Sequence, residues 1–167
     1  MKKTLAIVLV TILSMMVMAS AAITSPTLDI TFETSAEGFI FEIDDSESAV
    51  EAAAEELAKA AEDADAYFGE AADEAKAITG NDELEIVEFA PVTVGGYTDD
   101  MGDISITITA PTAAEEGQAV AVMLCVNGEW TAFEGVGNAD GSIDFTLSAE
   151  VAKAASEAGS AMLAIAF

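Results

Sequence analysis

The chain has no histidine and no arginine, and only one cysteine, one tryptophan, two tyrosines and three prolines in 167 residues. Each scarcity closes off a class of chemistry. Without histidine, the usual nucleophile–base pairs cannot be assembled. Without arginine, the bidentate clamp for phosphate and carboxylate groups is missing. A serine–lysine pair would need distant parts of the chain, because no lysine has a serine at a diagnostic spacing. Two carboxylates could hydrolyse a glycosidic bond, but so few aromatic residues give little platform for a sugar. The lone thiol, Cys125, cannot close an internal disulfide, so stability must come from the core. It lies in the apolar run 119–126 with no base or cation nearby in sequence, which reads as a small buried side chain rather than a reactive one. The chain therefore reads as non-catalytic, with no catalytic residue and no bound organic cofactor.

Positive charge is also scarce: five lysines face 31 acidic residues, for a formal charge of −26. Two of the five, Lys2 and Lys3, precede an apolar run from Leu5 to Met18 and then Ala19-Ser20-Ala21. A basic start, an apolar stretch and a small-x-small site are the parts of a secretory signal peptide, which we assign to residues 1–21 with cleavage after Ala21. At about 14 residues the run is shorter than the roughly 20 that cross a bilayer, and no later stretch is long enough. The expectation is a protein secreted or associated with the cell surface, with no membrane span after cleavage. Removal of the signal leaves Lys59, Lys76 and Lys153 against all 31 acids. Such a field repels nucleic acid and anionic lipid, and leaves another extracellular or envelope protein with a basic surface as the expected partner. The same excess suits solubility outside the cell or a salt-rich medium.

What remains has clear periodicities. Residues 27–34 alternate Leu28, Ile30 and Phe32 with polar neighbours, and Phe39, Phe41 and Ile43 repeat the pattern after a glycine-containing connection, which predicts a β-hairpin. Asp44 and Ser48 are candidate helix caps, each followed three residues later by a glutamate. From there Val50, Ala53, Ala54, Leu57, Ala60, Ala61, Ala64, Tyr67 and Phe68 mark one apolar stripe of a helix of about six turns, with Lys59 placed to pair with Glu55. Gly69 should bend or break it, and Gly80 should cap a shorter helix that follows. Beyond residue 83 the patterns are those of strands. Pro91 marks an edge, a bulge or a strand end in 83–94, ISITIT at 104–109 buries its isoleucines, and Asn127-Gly128 supplies a type I′ turn between an apolar strand and EWTAFEGV. A turn at 138–141 leads to SIDFTL, Ser148 caps a short helix ended by Gly159, and AMLAIAF reads as a buried final strand. An outer-membrane barrel, which often closes on such a strand, needs alternating strands throughout and aromatic girdles, and this chain has neither.

Oxygen ligands are plentiful, and two loops concentrate them: Asp99, Asp100 and Asp103, and Asn138, Asp140 and Asp144. Both are calcium candidates. If Gly141 took the glycine position of an EF-hand, however, Val136 and Leu147 would occupy the first and last ligand positions, and neither can ligate a cation. Turn chemistry alone accounts for both loops.

The VNGEW hairpin, the Asp-Gly turn before SIDFTL and the apolar last strand resemble small exported proteins of Gram-positive bacteria that carry a C-terminal β-sandwich module. That resemblance covers residues 83–167 and implies an extracellular or envelope-associated role with no site residues. The expected architecture is α+β: signal peptide 1–21, a β-hairpin and Ala-rich helical segment over 22–82, and a C-terminal antiparallel β-sandwich over 83–167. The expected function is a secreted acidic binding or structural module, with a calcium-dependent module using loops 97–103 and 138–144 as the alternative.

Overall fold

The computed structural model describes residues 25–167, so the signal peptide expected at residues 1–21 lies outside the described residues. The fold is α+β. The elements run β1 (Thr31–Thr34), β2 (Ile40–Ile43), α1 (Glu47–Glu62), α2 (Ala64–Phe68), α3 (Glu70–Thr79), β3 (Ile86–Gly95), β4 (Ile104–Thr109), β5 (Ala119–Val126), β6 (Glu129–Gly137), β7 (Ile143–Leu147), α4 (Ala149–Ala158) and β8 (Ser160–Ala166). All eight strands join one antiparallel sheet in the order β1-β4-β7-β6-β5-β8-β3-β2. The hairpin expected at the start is not a ladder, because β1 pairs with β4 and β2 pairs with β3. Instead of a separate hairpin beside a sandwich, strands from both halves of the chain build a single sheet. It curls until its two outermost strands approach, with the Phe32 and Phe41 rings in edge-to-face contact at 4.9 Å.

Curling divides the apolar residues into two cores. The concave side holds Ile30, Phe41, Val92, Ile106, Val122, Leu124, Phe145 and Leu163, together with Ala152 and Ala155 of α4, which packs against β3, β5 and β8. On the convex side, Phe89, Met123, Ala121, Ala164 and Ala166 lie beneath Ala53, Leu57, Ala60, Phe68, Ala71 and Ala75 of the first three helices. Strands β3, β5 and β8 are thus covered on both faces, which is why their sequences read as near-continuous apolar runs. Strands β4 and β7 have no helix over them and alternate strictly, with Ser105, Thr109, Asp144 and Thr146 exposed.

The helical segment differs from the expected six-turn helix. Asp63 leaves α1 with extended dihedrals (φ −159°, ψ 94°), and its carboxylate accepts the Ala66 N–H at 3.0 Å to start α2. Within α1 the buried face is Ala53, Leu57 and Ala60, which leaves Ala54 and Ala61 of the expected stripe exposed. The N-cap of α1 is Ser46, between the two expected caps, and Lys59 pairs with Glu56 rather than Glu55. Gly80 and Gly159 do end their helices in the left-handed conformation, each donating its N–H back to a carbonyl of the last turn. Asn127 and Gly128 both take positive φ, as the type I′ turn requires.

Pro91 sits inside β3, and the ladder explains how. The Asp44 N–H donates to the Pro91 carbonyl just past the last residue of β2, so the side of Pro91 that lacks a donor faces the place where the β2 ladder stops. Pairing of β3 with β8 loses nothing.

Candidate functional site

The two outer strands bring one free edge each to the same place. Ser35 donates its N–H to the Ser105 carbonyl and Asp44 donates to that of Pro91. Antiparallel alternation then turns the backbone groups of Phe32 and Thr34 on β1, and of Phe41 and Ile43 on β2, toward each other across a seam that no ladder closes. Between them lies a groove of about 410 Å³, lined by residues of 30–34 and 39–43, with Phe32, Phe39 and Phe41 at its apolar base and Ile40 exposed at its rim. Both ends of the seam are held. At one end the turn 35–39 joins the strands, with the Phe39 N–H donating to the Ala36 carbonyl at 3.3 Å. Beyond the other end, the Thr27 N–H reaches across to the Phe89 carbonyl of β3 at 2.7 Å, a latch of one hydrogen bond.

The charge around this seam has one sign. Asp29, Glu33, Glu37, Glu42, Asp44 and Asp45 flank it, and no lysine lies within residues 25–58. The three lysines of the described chain are engaged elsewhere, Lys59 with Glu56, Lys76 with Asp65 and Lys153 with Asp99.

The carboxylates of the two acidic loops have protein partners. Asp99 holds Lys153 of α4 at 2.8 Å, and Asp103 accepts the Ala149 N–H at 2.8 Å, capping α4 from outside its own segment. The Thr98 hydroxyl beside Asp100 holds that carboxyl below the usual range. In the second loop the Ser142 hydroxyl and N–H both donate to Asp140, at 2.6 and 3.0 Å, and lower its pKa. Asn138 donates to the Ser142 hydroxyl, while Asp144 accepts from Thr107 at 2.6 Å on the neighbouring strand. The structure therefore builds one loop around α4 and the other into a turn. Among the described residues no three His, Cys, Asp or Glu side chains are grouped as a cation site.

Cys125 is half-buried, facing the convex side across from Trp130 and Met162. Burial pushes its thiol upward, and nearby Glu56 adds to the shift, so the thiolate is disfavoured. Tyr67, its ring tilted against Trp130 at 5.8 Å, donates to Glu56 at 2.8 Å, and burial followed by that carboxylate raises the phenol well above its ordinary value. This group serves as a cap over the convex core.

Two features escaped the sequence. Glu88, 2% exposed, accepts the Thr112 N–H at 2.8 Å and ties the β4–β5 loop to β3. Its signal was its position in step with the inward-facing Ala90, Val92 and Val94. The seam escaped because alternation marks which face of a strand is buried and leaves open which strand it pairs with. Comparison with protein-family models, with curated proteins and with solved structures found no match to this chain.

Proposed function

We propose that the protein is an exported, non-catalytic binding module that makes contact through the β1–β2 seam. The observation that carries this reading is the meeting of the sheet's two free edges at one groove flanked by six carboxylates. Free strand edges carry unpaired donors and acceptors, and proteins normally cover or block them. Here both are placed together over an apolar base, beside the one exposed isoleucine of β2. The curled sheet supplies opposed walls, as a sandwich would, and holds the seam on a rigid frame. Export rests on the basic start, apolar run and Ala19-Ser20-Ala21 of the sequence. Outside the cell, a basic surface is the partner an acidic module attracts most strongly.

Titration of the mature chain with an eight-residue oligolysine, followed by amide exchange, tests the site. The expected footprint is centred on residues 30–43, and Glu33→Lys with Glu42→Lys weakens it. A footprint spread evenly over the acidic surface overturns the reading.

A further inference from the structure

We propose that the seam takes an extended polypeptide segment in which lysine or arginine alternates with apolar residues, received as an added β-strand. This rests on the seam being the contact surface and adds what fills it.

Three observations select this occupant. First, Phe32, Thr34, Phe41 and Ile43 present backbone donors and acceptors at strand spacing, which an extended chain satisfies and a folded surface does not. Second, side chains of a guest strand alternate between two faces, and the seam has two different faces to offer. The inner one is the apolar base formed by Phe32, Phe39 and Phe41. The outer one carries Glu33 and Glu42, both exposed. Third, a second copy of this chain would bring its own large negative charge and a like-charged seam, so self-pairing is opposed where a basic guest is favoured.

Insertion requires the seam to open. A strand lying between two others sets them about 9.6 Å apart, twice the usual spacing, so the Phe32–Phe41 contact is exchanged for packing against the guest. No ladder between β1 and β2 has to be broken. The turn 35–39 acts as the hinge, and the Thr27–Phe89 hydrogen bond is the latch at the opposite end. The latch yields a variant with an unusual expected sign. Thr27→Pro removes the donating N–H outside the groove lining and should tighten binding, because the open seam then forfeits less.

The probe is a synthetic Lys-Val octapeptide, compared with the same peptide N-methylated at alternate residues, which keeps its charge and loses one hydrogen-bonding edge. The expected result is protection of the Phe32, Thr34, Phe41 and Ile43 amides by the parent peptide, and binding roughly tenfold weaker after N-methylation. Thr27→Pro should increase affinity, with its fold checked by the unchanged exchange of β5 and β8 amides. Equal binding of the two peptides at the seam overturns strand addition while leaving the binding module intact. A footprint away from the seam overturns both. Absence of binding by either peptide at millimolar concentration, with oligolysine still bound at the seam, overturns the alternating apolar requirement.

Discussion

Glu88 is a carboxylate within an otherwise apolar wall, and its only hydrogen bond among the described residues is the Thr112 N–H. Glu88→Ala leaves that donor without its partner and should lower stability by about 1–3 kcal/mol, whereas Glu88→Gln keeps an acceptor at the same reach and should lose less. Urea unfolding of the pair separates the effects, and equal losses would show that the acceptor is not what holds the loop. At Gly96, φ is +75° and an added Cβ would stand 2.1 Å from the Gly38 carbonyl oxygen. Gly96→Ala should therefore displace the turn 35–39 and cost about 1–3 kcal/mol, with the loss visible as faster exchange in β2. Glu56 gives a pH dependence of definite sign. The hydrogen bond from Lys59, then that from Tyr67, hold its pKa below 4.5 in the fold. Its contribution is present above that unfolded value and is lost as pH falls through the lower folded one. The site is partly solvated, so the contribution is under about 1 kcal/mol, and Tyr67→Phe should reduce the acid-side loss in a pH series of thermal melts.

At the scale of elements, α4 depends on a residue that sequence reading placed among the calcium candidates. Asp103→Ala removes the acceptor for the Ala149 N–H and should cost about 1 kcal/mol, with the loss seen first in α4 amides. Since Asp99 and Asp103 are held by Lys153 and α4, millimolar calcium is expected to raise the melting temperature no more than sodium of equal ionic strength. A clear excess over the chelator control would instead favour the calcium-dependent reading. Several elements were legible because one residue dictates the local backbone: Asn127-Gly128 needs positive φ, Gly80 and Gly159 close helices, and ISITIT can bury only one face. Pairing partners were not legible in the same way. The pattern of Ile30, Phe32, Phe39 and Phe41 is the same whether the strands face each other in a hairpin or across an open seam. The break at Asp63 was hidden because an aspartate inside an alanine-rich stretch also fits an exposed helical face.

For the whole molecule, charge and topology act together. Acidic self-repulsion opposes the compact state, so molar potassium chloride should raise the melting temperature, as read by calorimetry. Residues 83–167 expressed alone would uncover Phe89, Met123 and Trp130 and leave β3 without β2. That fragment is expected to bind a hydrophobic dye and aggregate, and a soluble, cooperatively folded fragment would overturn the shared-core picture. Strand β8, the last in chain order, lies in the middle of the sheet between β5 and β3. Until residues 160–166 arrive, the ladders define only two disconnected pieces, β1-β4-β7-β6-β5 and β3-β2. A chain emerging in order from its amino end therefore holds these two pieces apart until its last strand joins them. Completion of the sheet is deferred to the placement of a single strand.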